Sequence, residues 1–295
     1  MESLAAIARE IAALTASSCA PAPLHAVGGG SINRCYRWES SHGSLFVKVA
    51  ERVRLADFQA EAEGLTELGR SRALRVPQVR AAGSTEDAAF LALEWLAAGS
   101  ADAASERRLG EGLAALHRVL APRFGWSRDN TIGRTPQSNS WTDDWAEFFR
   151  EHRLRPQLQL AVRNGCGEHL RARGERLTEL LPVLLAGHRP AASLVHGDLW
   201  GGNWLATADG EPVVFDPAVY YGDRETDLAM TRLFGGFGDA FYAAYEHAAP
   251  LTPGAALRAE LYNLYHVLNH ANLFGGGYAR EARALIEELC ALARR

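Results

Sequence analysis

The segment best suited to chemistry is residues 196–203, which reads His-Gly-Asp-Leu-Trp-Gly-Gly-Asn. An aspartate followed five residues later by an asparagine, on a loop between short predicted strands, is typical of loops that catalyse phosphoryl transfer. Transfer of phosphate from ATP requires a carboxylate beside the attacking hydroxyl and oxygen ligands for Mg²⁺. We therefore predict that Asp198 orients the acceptor hydroxyl and takes its proton, and that the amide oxygen of Asn203 binds Mg²⁺.

A second carboxylate, Asp216, follows the apolar run 213–215. A strand that ends in aspartate places the carboxylate at a defined point on the edge of a sheet, which suits a second Mg²⁺ ligand. In protein kinases the corresponding aspartate is followed by Phe-Gly, whereas a Pro-Ala pair follows it here. The sequence therefore points away from protein kinases and towards kinases of small molecules.

One lysine, Lys48, lies inside the apolar strand predicted at 45–50. A lysine in a half-buried strand is costly unless its ammonium group meets an anion. We predict that Lys48 contacts the phosphates of ATP and that Glu61, on the next helix, holds it between turnovers. Glu63 is the alternative partner, because helical spacing does not separate the two glutamates, and Lys48 could instead extend to solvent at a sheet edge.

A glycine-rich segment lies between the first two predicted strands, and its backbone N–H groups could cover the phosphates of ATP. It is not a Walker A loop, because no Gly-Lys-Ser/Thr follows, and an ordinary loop is the alternative. Cys35, just beyond it, is either an inert thiol or redox-sensitive. The residues predicted to bind ATP in this segment are Gly28, Gly29, Gly30 and Ser31.

Hydrophobic periodicity predicts the elements that position these residues. In the first hundred residues it indicates a helix, three strands, a second helix and two strands, at 4–14, 24–27, 36–39, 45–50, 55–68, 77–82 and 90–95. After a small, polar stretch at 97–104, helices dominate, at 106–120, 145–154, 168–185, 225–234, 240–247, 256–273 and 280–293. Short strands at 193–195, 204–205 and 213–215 flank the candidate catalytic residues.

This order predicts an α+β protein with two lobes, in which a small antiparallel sheet precedes a larger, mainly helical part. We place the ATP-binding lobe at 1–97, and the lobe with the catalytic loop and the substrate site at 98–295. A cleft between such lobes commonly holds ligands.

Composition narrows the range of partners. The chain has 295 residues and a net charge of -4, with no basic stripe, so a nucleic acid is not expected as a partner. The four cysteines are scattered and form no metal-binding pair. No apolar run approaches the roughly 20 residues that span a bilayer. The first residues, which include Glu2 and Glu10, have no basic region followed by an apolar core, so we do not expect them to be a secretory signal. We therefore expect a cytoplasmic protein without a membrane partner, and a monomer by default.

Taken together, these motifs resemble the fructosamine kinase (ketosamine-3-kinase) family, within the protein-kinase-like superfamily that includes aminoglycoside phosphotransferases. The resemblance covers almost the whole chain in family order. Its most particular parts are the Leu-Trp-Gly-Gly-Asn ending of the catalytic loop, the Asp-Pro-Ala after the apolar run with the Tyr-Tyr-Gly at 220–222, and the Thr-Pro-Gln-x-Asn segment at 135–139.

The resemblance implies a bilobal protein-kinase-like fold and an activity that uses ATP and Mg²⁺. The acceptor would be the 3-hydroxyl of a ketosamine, either a small molecule or a glycated lysine of a protein, and breakdown of the product would free the amine. It also implies that the backbone of the predicted hinge meets adenine; the hinge comprises Glu94, Trp95 and Leu96.

Other residues of the family motifs have two interpretations each. Trp200 either packs in the core or lines the sugar site, and Gln137 and Asn139 either contact substrate or only build a turn. We assign structural roles to His196 and Asp227, which would hold the catalytic loop. Two other functions stay open: a kinase for another small alcohol, such as an aminoglycoside or choline, and a nucleotide-binding pseudokinase.

Overall fold

The computed structural model describes residues 2–16, 24–28, 33–41, 43–165 and 168–294. The strands are β1 (His25–Ala26), β2 (Arg34–Ser40), β3 (Gly43–Glu51), β4 (Val79–Ser84), β5 (Ala88–Glu94), β6 (Leu120–Ala121), β7 (Asn130–Ile132), β8 (Thr135–Gln137), β9 (Ala192–Val195), β10 (Trp204–Ala206), β11 (Pro212–Val214) and β12 (Tyr220–Gly222). The helices are α1 (Glu2–Leu14), α2 (Leu55–Ser71), α3 (Ala103–Leu116), α4 (Trp145–Phe149), α5 (Arg155–Arg163), α6 (Glu168–Leu184), α7 (Glu225–Leu233), α8 (Asp239–Ala248), α9 (Ala255–Phe274) and α10 (Tyr278–Leu292).

The chain forms two compact units. The first comprises Met1–Ser105 and Trp204–Pro217, and the second comprises Glu106–Asn203 and Ala218–Arg295. The division of roles predicted at residues 97 and 98, with ATP binding before it and catalysis after it, stays a prediction.

An antiparallel sheet in the order β1-β2-β3-β5-β4 forms the centre of the first unit. Successive side chains of a strand point to opposite faces, and each face of this sheet is covered by one helix. The apolar side of α1, with Ile7 and Ile11, packs on the face that includes Val47 and Val49 of β3. Helix α2 packs through its apolar residues, Phe58 among them, on the opposite face. Lys48, between Val47 and Val49, therefore points to the side of α2.

A hairpin made by β10 and β11 completes the first unit. Trp204 pairs with Val214 and Ala206 with Pro212. Bridges from Arg75 to Val213 and from Ala98 to Thr207 join the hairpin to the rest of the unit. Asp216 follows two residues after the end of β11, so the position of its carboxylate depends on this hairpin.

The second unit is mainly helical, with the antiparallel sheet β12-β9-β6 and the hairpin β7–β8. Its central helix is α9, which packs against α5, α7 and α10. The predicted α+β class, with a sheet-rich first part and a helical second part, is confirmed. Among the residues that the structure describes, no helix is both long enough and apolar enough to cross a membrane.

Most predicted elements are confirmed within a few residues, and two helices differ. The helix predicted to reach residue 120 ends at Leu116, because Leu120 pairs with Ser193 of β9 and is exposed. The helix predicted at 145–154 is α4 followed by a π-helical turn, Arg150–Leu154, that leads directly into α5. Hydrophobic spacing predicted neither α5 nor the short strands β6, β7, β8 and β12.

Candidate active site

The buried Lys48 is the centre of an ion-pair group in the first unit, in which the Asp216 side chain is 43% exposed. Its Nζ lies 2.6 Å from Oε1 of Glu61 and 2.6 Å from Oδ1 of Asp216. Glu61 is on α2, which covers the face of the sheet to which Lys48 points, whereas Glu63 of the same helix is exposed. Of the two glutamates that the sequence left open, Glu61 is therefore the one in contact with Lys48. The roles of these residues in binding ATP stay predictions.

The two carboxylates keep Lys48 charged. Burial alone would lower the pKa of this lysine, but the negative charges of Asp216 and Glu61 outweigh burial and hold its pKa above the ordinary value. A protonated ammonium on a central strand can bind phosphate oxygens. The side chain is thus anchored at two points rather than extended to solvent.

Cys35 lies directly opposite Lys48 in the pairing of β2 with β3. Burial raises the pKa of its thiol, although the nearby Lys48 acts in the other direction. A protonated, buried thiol is a poor nucleophile. The structure therefore favours the inert alternative for this cysteine.

Asp216 has a strained backbone. Its φ is +57°, in the left-handed region that residues other than glycine rarely adopt. Aspartate tolerates this conformation better than most residues, and such strain is found mainly at functional positions. The conformation turns the chain sharply after β11, and the Asp216 carboxylate meets Lys48 from there.

The other residues predicted to bind ATP are described only in part. Gly28 is exposed, whereas Gly29, Gly30 and Ser31 lie outside the described residues. The phosphate-covering loop therefore stays a prediction.

The predicted hinge begins with Glu94, the last residue of β5, and continues with the two residues that follow the strand. The Glu94 carboxylate accepts hydrogen bonds from Nη2 of Arg75 at 2.8 Å and from the Gln78 backbone N–H at 3.2 Å. The guanidinium of Arg37 lies 4.8 Å from the ring centroid of Trp95. These side-chain contacts hold the segment in place, and Leu96 is half-buried. Contact of the segment's backbone with adenine stays a prediction.

Asp227, a buried residue of α7 in the second unit, is hydrogen-bonded to the backbone of the candidate catalytic loop. Its carboxylate accepts hydrogen bonds from the backbone N–H groups of His196 and Gly197, both at 2.8 Å. Nε2 of the buried His117 lies 3.1 Å from the same carboxylate. These contacts support the structural role predicted for Asp227.

Asp227 is ionised in spite of its burial. Burial alone would raise its pKa, but the hydrogen bond from His117, the electrostatic effects of His117 and His196, and the hydrogen bond from the Gly197 N–H lower the pKa below its ordinary value. A buried carboxylate with several donors is a rigid anchor for the loop.

Within the same loop, the side chain of Asn203, the predicted Mg²⁺ ligand, is hydrogen-bonded to Asp198, the predicted base. Nδ2 of Asn203 donates to the backbone oxygen of Asp198 at 2.8 Å and approaches its Oδ2 at 3.2 Å. The Asp198 backbone N–H donates to Nδ1 of His196 at 3.3 Å. His196 therefore contacts the backbone of the loop, as the structural role predicted for it requires.

Gly197 can be replaced by no other residue without displacing the backbone. Its φ is +83°, and an added Cβ would lie 2.1 Å from the carbonyl oxygen of Ala218. The Ala218 N–H donates to the His196 carbonyl oxygen at 2.9 Å, so two backbone segments run in direct contact here. The glycine is required by this approach as well as by its φ.

Trp200 is on the surface and not in the core. Its side chain is 39% exposed and meets Phe234 edge-on, with the ring centroids 6.4 Å apart. Gly202 lets the ring fold back onto the loop, since an added Cβ there would lie 2.3 Å from the indole. Of the two interpretations of Trp200, the structure excludes packing in the core, and contact with substrate stays a prediction.

Gln137 and Asn139 are buried and hydrogen-bonded within the protein. Nε2 of Gln137 and Nδ2 of Asn139 both lie 2.9 Å from Oδ1 of Asn130. Oε1 of Gln137 accepts from the hydroxyl of Tyr265 at 2.7 Å. Because their amide groups already have protein partners, the structure favours the structural interpretation over the predicted contact with substrate.

Sequence reasoning assigned no role to Arg153, the residue that completes this network. Its guanidinium is fully buried and donates to the Ser138 carbonyl oxygen at 2.7 Å and to Oδ1 of Asn139 at 2.8 Å. It also lies 4.0 Å from the ring centroid of Tyr220. A charged residue at a helical position gives no sign of burial, because its partners come from other elements.

Several solved structures with a similar fold are named as phosphotransferases. An aminoglycoside phosphotransferase superposes with a TM-score of 0.62 at 16% identity, covering 97% of this chain and 98% of that one. At this identity the likeness concerns the fold alone. The chain therefore has the fold of kinase-like phosphotransferases, as predicted.

The profile of the fructosamine kinases matches residues 3–292, so the chain belongs to the fructosamine kinase family. A protein of Synechocystis sp. named "probable ketoamine kinase" is 45% identical over 283 residues, which are 96% of this chain and 95% of that protein. The chloroplastic protein-ribulosamine 3-kinase of Oryza sativa subsp. indica is 39% identical over 265 residues, which cover 89% and 77% of the two chains. A crystal structure from Thermobifida fusca, provisionally named fructosamine-3-kinase, is 34% identical with a TM-score of 0.85, covering 97% and 98%.

Proposed function

We propose that this protein is an ATP-dependent kinase that phosphorylates the 3-hydroxyl of ketosamines, the adducts of reducing sugars with amines such as lysine. Its family and the names of its relatives, ketoamine kinase and protein-ribulosamine 3-kinase, support this substrate class. The observation that carries the proposal is the contact of Lys48 with both Glu61 and Asp216. Kinases use a lysine paired with a helix glutamate at the phosphates of ATP, and a strand-end aspartate nearby at the metal.

The donors fit a nucleotide and a divalent cation. In this proposal Lys48 binds phosphate oxygens, and Glu61 keeps it in place. Asp216 supplies a carboxylate and Asn203 an amide oxygen, the ligand types that Mg²⁺ prefers. When bound, Mg²⁺ neutralises part of the charge on the phosphates.

The reaction is a direct displacement at the γ-phosphorus. The oxygen of the substrate 3-hydroxyl forms a bond to phosphorus, and the bond from phosphorus to the bridging oxygen of ADP breaks, with the electron pair leaving on ADP. Asp198 accepts the proton of the hydroxyl. The hydrogen bonds of Asp227 to the backbone of the loop keep this base in position.

Turnover of a panel of acceptors tests the substrate class. ATP consumption with Mg²⁺ is measured with ribulose-lysine, fructose-lysine, a glycated protein, an aminoglycoside, choline and a free sugar. We expect turnover of the ketosamines alone. Turnover of choline or the aminoglycoside without turnover of ketosamines would refute the substrate assignment, and no turnover of any acceptor would indicate a pseudokinase.

The role of Asp198 is tested by Asp198→Asn. Removing a positioned base commonly reduces the rate by about 10²–10⁴-fold, and we expect such a loss of kcat with binding of Mg·ATP retained. Asp143→Asn is the matched control, because Asp143 is exposed and pairs only with Arg123 among the contacts described. Activity of Asp198→Asn close to that of the control would show that Asp198 is not the base.

A further inference from the structure

A row of aromatic side chains continues from Trp200 across the surface of the second unit. The ring centroids of Trp200 and Phe234 are 6.4 Å apart, and those of Phe234 and His270 are 4.7 Å apart. His270 in turn lies 5.5 Å from Phe274 and 5.2 Å from Tyr278. We call these five residues the aromatic ledge.

The ledge is exposed to solvent over much of its length. The exposed fractions of Trp200, Phe234 and Phe274 are 39%, 40% and 58%. Large apolar side chains that adjoin one another at a protein surface mark a binding site more often than isolated ones do. A row of three exposed aromatic residues linked by His270 therefore suggests a ligand with an apolar part.

The ledge is joined to the catalytic loop by direct contact between two backbones. An added Cβ at Gly236 would lie 3.0 Å from Cα of Gly201, and one at Gly201 would lie 3.2 Å from the carbonyl oxygen of Gly235. Gly236 has a φ of +96°, which keeps this close approach available only to glycine. The segment that carries Phe234 is thus packed against the loop that carries Asp198.

The ring of His270 adds aromatic surface without charge. Burial lowers its pKa, although its hydrogen bond to the His266 carbonyl oxygen and the negative charge of Glu281 act in the opposite direction. Its Nδ1 lies 2.8 Å from that oxygen, which places the proton on Nδ1. A neutral imidazole between two phenylalanines suits hydrocarbon rather than an anion.

We propose that the aromatic ledge binds the hydrocarbon chain attached to the ketosamine nitrogen and so selects acceptors by the length of their amine substituent. This inference rests on the proposed function. In a ketosamine the reacting hydroxyl is on C3 of the sugar, and the nitrogen that carries the substituent is on C1, two carbons away. An acceptor whose hydroxyl is at Asp198 therefore extends its substituent over the neighbouring surface, and the ledge is the apolar surface that adjoins the loop.

The test compares two fructosamines that differ only in the alkyl chain, made from methylamine and from hexylamine. A fully buried methylene contributes roughly a fourfold preference, so burial of an area equal to about two of the five additional methylenes makes kcat/KM about tenfold higher for the hexyl adduct. The difference is expected in KM, because the chain is remote from the reacting atoms. Phe274→Ala should reduce the ratio of the two kcat/KM values, and Phe274→Leu, which keeps apolar bulk, should restore most of it.

Val183→Ala is the control, because Val183 is an exposed apolar residue of α6 outside the ledge. It should leave the ratio unchanged. Equal kcat/KM values for the two adducts, or a ratio that Phe274→Ala does not lower, would overturn the ledge proposal while leaving the proposed function intact.

Calorimetry on Asp198→Asn with Mg·ADP measures the binding of the two adducts without turnover. It therefore distinguishes failure of the ledge proposal from failure of the proposed function. Tighter binding of the hexyl adduct without turnover in the native enzyme would support the ledge and contradict the proposed function. Equal binding of the two adducts would overturn the ledge. Failure of both to bind would overturn both proposals.

Discussion

At the scale of single residues, Lys48 shows how one charged side chain fixes the positions of two others. A buried ammonium needs compensating charge, and here it has Glu61 from a helix and Asp216 from the end of a hairpin. The sequence could predict a glutamate partner, because a lysine in an apolar strand demands an anion, but it assigned Asp216 to Mg²⁺ and did not predict its contact with Lys48. It could not separate Glu61 from Glu63. The rotation of α2 about its own axis decides which of the two faces Lys48, and helical spacing does not fix that rotation.

Replacing each glutamate separately tests this pairing. Glu61→Gln removes one of the two negative charges beside Lys48, and we expect the free energy of unfolding to fall by about 1–3 kcal/mol together with a loss of ATP turnover. Glu63→Gln, two residues further along the helix and exposed, should change the free energy of unfolding by less than about 0.5 kcal/mol. Urea denaturation and ATP consumption measure both effects, and equal effects of the two variants would contradict the pairing.

The residues around the catalytic loop were predictable to different degrees. The spacing of Asp198 and Asn203 was enough to place both on one loop, because that spacing is a local property. The burial of Gln137 and Asn139 was not predictable, because their hydrogen-bond partners include Tyr265, from a helix more than a hundred residues further along the chain. Sequence patterns give the type of a side chain, and packing decides whether its polar atoms are left for a ligand.

At the scale of elements, the sharp turn after β9 depends on Gly197. Gly197→Ala would force a Cβ into the Ala218 carbonyl oxygen at 2.1 Å, so the catalytic loop must move. We expect almost complete loss of activity and a loss of unfolding free energy well above the roughly 1–2 kcal/mol that a left-handed conformation alone costs. Enzyme assays and thermal unfolding measure the two losses.

Gly187→Ala is the matched control for this variant. Gly187 also has a positive φ, +77°, but no atom lies within 4 Å of its added Cβ. The control should therefore show only the cost of the backbone conformation, and it should keep its activity. If the two variants behaved alike, the contact with Ala218 would not be what requires a glycine at position 197.

The π-helical turn between α4 and α5 brings Arg153 into the interior. Hydrophobic spacing predicted a helix that ends with this turn and missed its continuation as α5, because an extra residue in one turn shifts the apolar face. Arg153 then bonds Ser138 and Asn139 and lies over Tyr220. The turn thereby connects the helix to the segment that follows β8.

Arg153→Met should be strongly destabilising for this reason. The variant keeps an apolar side chain of similar length but leaves the Ser138 carbonyl oxygen and Oδ1 of Asn139 without their donor. Each unsatisfied buried acceptor costs about 1–3 kcal/mol, so we expect a loss of about 2–5 kcal/mol in the free energy of unfolding. Urea denaturation measures it, and a loss below about 1 kcal/mol would show that the network rearranges without Arg153.

At the scale of the whole molecule, stability should depend on pH through His266. Burial lowers the pKa of this histidine to about 3, from the ordinary value of 6.5. Between these values the unfolded chain binds a proton that the folded protein does not, so the free energy of unfolding falls as the pH falls. The slope from this residue is at most about 1.4 kcal/mol per pH unit.

Urea denaturation between about pH 4.5 and pH 7 should show this slope. His266→Leu should reduce the slope by at most about 1.4 kcal/mol per pH unit, the contribution of one bound proton. This pH range lies above the pKa of Asp227, so the titration of Asp227 does not contribute to the slope. The folded pKa of Asp227 is depressed below 3.8, so its contribution is present above that value and is lost as the pH falls through the lower one. An unchanged slope in His266→Leu would mean that His266 is protonated in the folded protein.

The path of the chain through the two units has a consequence for synthesis. The hairpin Trp204–Pro217 belongs to the first unit, but the ribosome makes it only after the whole of Glu106–Asn203. At roughly 5–20 residues per second, the first unit waits on the order of ten seconds for its last segment. During that time Lys48 has Glu61 but lacks Asp216. The nascent first unit therefore holds Lys48 with a single carboxylate partner until Asp216 has been synthesised.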